Sequence, residues 1–131
     1  MKKPGAGTEK ILVVEDELAI AELCRRSLTS EGLEVDIAPA GDVAQAMLEK
    51  EHYDLCLIDI RTPVINGRQL YQCMKEKHPK LLDGVMFTTG DTMAGDIQSF
   101  LEQTGRPFLP KPFTPDELRT VVRETLKQIE R

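Results

Sequence analysis

Tryptophan is absent, cysteine is scarce, and no uninterrupted apolar run approaches the ~20 residues needed to span a bilayer. That last absence leaves no candidate transmembrane helix, and no direct membrane contact is expected. Cys24, Cys56 and Cys73 are odd in number, far apart and set within apolar stretches, with no Cys-x-x-Cys pair. The pattern argues against a disulfide framework and against structural zinc, and for small buried thiols in a reducing compartment. Positive charge is also short: 17 Lys and Arg are scattered among 22 Asp and Glu, for a net charge of −5. Nucleic-acid binding draws on clustered cations that neutralise phosphates, so direct contact with DNA or RNA is not expected. The N-terminal MKKPGAGTEK has two lysines but no apolar stretch before Thr8, Glu9 and Lys10. It is not a secretory signal, and the cytoplasm is the expected compartment.

With 131 residues, 40% hydrophobic and 30% charged, the chain is sized and composed for one globular domain. Residues 1–9 are expected to be a flexible leader or linker, and residues 10–131 the domain. Short runs rich in Val, Ile and Leu alternate with longer segments of helical period, the signature of βα units around a parallel sheet. The strand candidates are KILVV (10–14), LEVDI (33–37), DLCLID (54–59), VMFT (85–88) and RPFLP (106–110). DLCLID is the most continuously apolar, as suits a strand buried on both faces. RPFLP is bracketed by prolines, which suits an edge. Ile20, Leu23, Cys24 and Leu28 mark a first helix with Gly32 at its C′ position, and Val43, Ala44, Met47 and Leu48 mark a second. A third helix is expected from Arg68 to His78, after a loop containing Pro63 and the Asn66-Gly67 pair, and a fourth around Ile97, Phe100 and Leu101. Thr114, Pro115 and Glu117 form a capping box ahead of the fifth, whose apolar stripe is Leu118, Val121, Val122 and Ile129.

In an open parallel sheet, ligands bind outside the carboxyl ends of the strands, where the strand order reverses. Those ends carry Glu15 and Asp16, then Asp59, Thr88-Thr89 and Lys111-Pro112. If the order is 2-1-3-4-5, the first and third strands are neighbours and their acids meet. Three carboxylates there make a hard oxygen site, and magnesium is the cation such donors suit. Its charge offsets a mutual repulsion that otherwise costs folding free energy. Glu17 is assigned a different role, as an acid in the first turn of a helix, where the dipole favours it. Each residue also has a plainer explanation: the acid pair as cap and first-turn charge, Asp59 as a turn opener, Thr89 as a strand-end hydroxyl, Lys111 as a solvated charge. Their joint arrival at the strand ends of one sheet favours a site over coincidence.

The stretches LVVEDE, LIDIRTPVING, FTTG and LPKPF, with the intervals between them, resemble the receiver domain of two-component response regulators from about Lys10 to Glu130. The resemblance implies an α/β, doubly wound, flavodoxin-like (βα)5 fold with a five-stranded parallel sheet in the order 2-1-3-4-5. It implies that Asp59 accepts a phosphoryl group from a phosphohistidine on a histidine kinase or histidine phosphotransfer protein. It implies Mg2+ held by Glu15, Asp16, Asp59 and the backbone carbonyl of Arg61, with Lys111 and the Thr89 hydroxyl on the phosphoryl oxygens. It further implies a switch in which Thr89 and the aromatic Phe108 alter the face made by the fourth helix, fifth strand and fifth helix, and a cis bond before Pro112. Arg61 and Asp91, two residues beyond Asp59 and Thr89, flank the expected phosphoryl position and are candidates for tuning phosphate lifetime. A phosphorylation-dependent homodimer through the fourth and fifth helices is a further expectation. Such a chain is a phosphoacceptor signalling domain, catalysing its own phosphoryl transfer and dephosphorylation, and not a turnover enzyme.

Two departures leave the resemblance intact: Thr62 stands where many relatives carry Met, and Glu15 where Asp is frequent, keeping the charge with a longer reach. TGDT and FLEQTGRPFLPKPF resemble most the C-terminal receivers of hybrid sensor histidine kinases. A magnesium-dependent phosphatase would need a second acid near Asp59, which Ile60-Arg61 does not supply, and usually a cap domain. A flavodoxin would follow its first strand with a Gly, Ser or Thr-rich phosphate loop, whereas Glu15-Asp16-Glu17 repels phosphate. A phosphate-independent receiver-like docking module remains the alternative. His52 and His78 are too far apart in sequence to suggest a metal pair and are read as surface residues.

Overall fold

The computed structural model describes residues 9–90 and 95–129. Five strands, β1 (Lys10–Val14), β2 (Glu34–Ala38), β3 (Leu55–Asp59), β4 (Val85–Thr89) and β5 (Phe108–Pro110), form a parallel sheet in the order β2-β1-β3-β4-β5. Helices α1 (Leu18–Thr29), α2 (Gly41–Lys50), α3 (Gly67–Lys77), α4 (Gly95–Thr104) and α5 (Pro115–Ile129) alternate with them. A 3-10 turn over Pro79–Gly84 precedes β4.

Period-two alternation along the strands sorts the core into two layers. Leu12, Val14, Cys56, Ile58, Val85 and Phe87 face Ala44 and Leu48 of α2, Leu70 and Met74 of α3, and Ile97 of α4. The residues between them, Ile11, Val13, Leu55, Leu57 and Met86, face Cys24 and Leu28 of α1 and Leu118 and Val122 of α5. β3 is buried at all five positions, the reason it reads as unbroken apolar sequence up to Asp59. β2 lies at an edge and is only half-buried along most of its length.

Local chemistry explains where the elements start and stop. At the end of α1, Leu33 N donates to Leu28 O at 3.1 Å and Gly32 N to Thr29 O at 2.9 Å, a Schellman pattern that places Gly32 at C′ with φ +88°. The Asn66-Gly67 pair proves to be a helix start: Asn66 caps α3, accepting from Gln69 N at 2.9 Å while Gln69 Oε1 accepts from Asn66 N at 3.0 Å. Thr114 and Glu117 exchange the same pair of bonds ahead of α5, at 2.8 and 3.1 Å. β5 is shorter than the run 106–110, starting at Phe108, and the Arg106 side chain ahead of it turns back to the carbonyls of Val85 (2.9 Å) and Asp83 (2.7 Å). On α2 the expected stripe is narrower: Ala44 and Leu48 are buried, but Val43 faces solvent.

β1 and β3 pair through Val14↔Ile58, so the residues that follow, Glu15 just beyond β1 and Asp59 at the end of β3, come side by side at the carboxyl rim. β4 and β5 deliver Thr89 and Lys111 to the same rim, where Lys111 N donates to Thr89 O at 3.0 Å.

Candidate functional site

Asp59 closes β3 and is 4% exposed. Its Oδ1 accepts from the Arg61 N–H at 3.1 Å, which holds the carboxylate plane, and its Oδ2 accepts from Lys111 Nζ at 2.8 Å. The same ammonium lies 2.7 Å from Glu17 Oε1 and 2.9 Å from Glu15 Oε1. One lysine is thus counterion to three acids at once, and it offsets part of their mutual repulsion within the protein's own atoms. Burial alone pushes Lys111 toward the neutral form, but its hydrogen bonds to Asp59 and Glu17 and its ion pair with Glu15 outweigh that and hold its pKa above the ordinary lysine value. Thr89 is fully buried at the end of β4, while Thr88 beside it spends its hydroxyl on Leu109 O at 2.6 Å. Asp59, Arg61, Thr89, Gly90 and Lys111 line a shallow open cleft with Glu17 at its side.

Glu15 is 2% exposed. Its Oε2 accepts from the Glu17 N–H at 3.0 Å, but among the described residues its Oε1 accepts no hydrogen bond; the Lys111 ammonium is near it without being aligned. Burial raises the Glu15 pKa to about 7, with the Asp59 charge adding to the rise and Lys111 and the Glu17 N–H opposing it.

A hard cation fits these residues. Carboxylate oxygens of Glu15, Glu17 and Asp59 lie within 4.8 Å of one another, Glu15 Oε1 is buried and lacks a hydrogen bond, and the donor set is all oxygen. Asp16 is exposed and stands outside that group. The backbone bends at Asp16, and it is the two glutamates on either side of that bend that lie with Asp59.

Glu17 is the residue whose part the sequence reading missed. It occupies the N-cap of α1, not its first turn, and its side chain makes no capping bond because it is turned to Lys111. The available signal was its place among three consecutive acids at a strand end. Phe108 is half-buried, registered against Phe87, beside the edge-to-face cluster of Tyr71, Phe87 and Phe100, whose ring centroids are 5.1–5.9 Å apart. The Lys111–Pro112 peptide is cis. Thr62 is buried and donates to Ile65 O at 3.2 Å. Asp91 lies outside the described residues. His52 and His78, distant in sequence, line one groove at the opposite rim of the sheet, each 3.4 Å from an acid, Asp54 and Glu49. No helix among the described residues is long and apolar enough to cross a membrane.

The family model described as the response regulator receiver domain matches residues 11–123. Among curated proteins, the regulatory protein VanRc of Enterococcus gallinarum is 34% identical over 124 residues, covering 95% of this chain and 52% of VanRc. The transcriptional regulatory protein ResD of Bacillus subtilis is 34% identical over 119 residues, covering 91% and 48%. The chain therefore spans about half of each. Among solved structures, a CheY-like response regulator receiver domain protein from Methanospirillum hungatei superposes with a TM-score of 0.85 at 28% identity, covering 95% of this chain and 98% of that one. The receiver domain of a sensor histidine kinase from Pseudomonas aeruginosa superposes at 0.81 with 26% identity over 92% and 99%, and that structure has a magnesium ion coordinated in its active site cleft.

Proposed function

This chain belongs to the response regulator receiver domain family, and on that premise we propose that Asp59 is its phosphoacceptor. One carboxylate oxygen of Asp59 attacks the phosphorus of a phosphohistidine on a histidine kinase or histidine phosphotransfer protein. The P–N bond breaks with its electron pair leaving on the imidazole nitrogen, and an aspartyl phosphate remains. The observation that carries this is the buried Asp59 carboxylate, fixed by the Arg61 N–H and bonded to Lys111 at 2.8 Å on the floor of an open cleft. Phosphoryl transfer asks chiefly for positioning and for neutralisation of the equatorial oxygens, and a fixed carboxylate beside an ammonium supports the reading on both counts.

Glu15, Asp16, Asp59 and the backbone carbonyl of Arg61 would hold magnesium, although Asp16 is exposed here and lies outside the group of Glu15, Glu17 and Asp59, and the ion would supply positive charge to the phosphoryl oxygens. Lys111 exchanges its carboxylate partners for a phosphoryl oxygen, and the Thr89 hydroxyl donates to another. In the signalling step Thr89 and Phe108 shift together and alter the face of α4, β5 and α5, through which a phosphorylation-dependent homodimer forms. Arg61 and Asp91 adjust how long the phosphate persists. The domain acts as a cytoplasmic signalling module without direct contact with nucleic acid or membrane.

Incubation of the protein with Mg2+ and a small phosphodonor, followed by intact mass measurement, tests this. One phosphoryl group is added to the wild type; Asp59→Asn gains none, and chelation of the metal prevents the gain. A wild type that gains nothing under these conditions is instead a phosphate-independent docking module.

A further inference from the structure

We propose that Glu17 is a specificity-determining residue that biases transfer onto Asp59 toward donors whose phosphorus is bound to a protonated nitrogen, and against donors whose leaving group departs as an anion. The inference rests on the phosphoacceptor reading of Asp59 and concerns which donors that site accepts.

Glu17 has given up the usual work of its position. As the N-cap residue of α1 its carboxylate is expected on the first N–H groups of the helix, yet it makes no such bond and reaches Lys111 Nζ at 2.7 Å. It also differs from the other members of the cluster in exposure. Its side chain is 58% exposed, against 2% for Glu15, 6% for Asp59 and 10% for Lys111. Asp59 and Thr89 thus form the floor of the cleft and Glu17 stands at its mouth. A donor whose phosphorus meets Asp59 from solvent has its leaving group on the outer side, the side on which Glu17 lies. Arg61, exposed on the same cleft, carries the opposite charge.

The two donor classes differ in the charge they bring to that place. In a phosphoramidate or a ring-protonated phosphoimidazole, the bond from phosphorus to a cationic nitrogen breaks, the electron pair stays on nitrogen, and a neutral amine or imidazole departs as the Asp59 oxygen bonds to phosphorus. In an acyl phosphate the P–O bond breaks and the carboxylate departs with the pair and a full negative charge. Relative to free donor, a carboxylate at the mouth attracts the first transition state, which retains part of the nitrogen's positive charge, and repels the second. Phosphohistidine belongs to the favoured class.

Second-order rate constants for phosphorylation in Mg2+ at neutral pH and low ionic strength, with phosphoramidate and with acetyl phosphate, test the inference in wild type, Glu17→Gln and Glu17→Asp. The ratio of phosphoramidate to acetyl phosphate rates is expected to fall about fivefold in Glu17→Gln, and the contrast to shrink with added salt. Glu17→Asp, which keeps the charge, is expected to stay within about twofold of the wild-type ratio. An unchanged ratio in Glu17→Gln, or a Glu17→Asp that behaves like it, overturns the inference while leaving Asp59 as phosphoacceptor. Glu17 also belongs to the carboxylate group that fits a cation, so magnesium affinity is first measured by calorimetry and each ratio is taken with Mg2+ saturating for that variant. A Glu17→Gln ratio that returns to the wild-type value at saturating Mg2+ makes the effect one of metal binding and overturns the inference too. A wild type that takes phosphate from neither donor removes the phosphoacceptor reading, and this inference with it.

Discussion

Lys111 shows how far a single residue's role depends on its neighbours. By its position in LPKPF it is assigned to a phosphoryl oxygen, yet in the folded protein its ammonium is shared among Glu15, Glu17 and Asp59. Glu15 carries the electrostatic cost of that arrangement, since burial raises its pKa to about 7. A carboxyl group with a folded pKa above its unfolded one favours folding when protonated. Its contribution is present in full below the unfolded value of about 4.3 and is lost as pH rises through about 7. In the absence of divalent metal, the thermal midpoint of Glu15→Gln is therefore expected to gain on that of the wild type between pH 5 and pH 8. Parallel melting curves across that range would show that Glu15 is not the buried, metal-seeking acid described here. The presence of acids at residues 15 to 17 was legible in the chain; which two of the three turn inward was not, because that follows from the direction the backbone takes after β1.

At the scale of elements, the β3–α3 connection that presents Arg61 is held from outside by α2. Gly41 N donates to Pro63 O at 3.1 Å, and a Cβ at Gly41 would lie 1.8 Å from Ile65 O. Backbone atoms cannot yield as a flexible side chain does. Gly41→Ala is thus expected to destabilise the fold by about 1–3 kcal/mol in denaturant titration, overriding the better helix propensity of alanine. A neutral or stabilising result would mean that the 61–66 segment moves freely away from α2. The helices with strong terminal chemistry, α1 with Gly32 and α5 with Thr114-Pro115-Glu117, were legible because those signals are local hydrogen-bonding patterns. The 3-10 turn at Pro79–Gly84 was not, having no period long enough to register; nor was the exposure of Val43, which depends on how α2 is rotated against the sheet.

For the molecule as a whole, the two layers of core give the three thiols different fates. Cys56 lies in the middle of the sheet, and burial pushes its thiol up. Cys24 is buried on the inner face of α1, where burial first and the Glu15 charge second push it up to about 12. Cys73 is only half-buried on α3. In native buffer a thiol-specific reagent is expected to modify Cys73 first, while Cys24 and Cys56 react only at the rate at which the domain opens. Equal rates for all three would mean that the core opens locally and often, against the packing described.

The order of strands and helices, the burial of β3 and the candidate acids, threonine and lysine were determined by the sequence alone, because periodicity, caps and strand-end residues are written locally. Tertiary structure alone decided that Glu17 joins the cluster while Asp16 faces solvent, that one ammonium serves three carboxylates, and that His52 and His78 share a groove. Those facts rest on distances between residues far apart in the chain, which only the closing of the sheet and the setting of its helices establish.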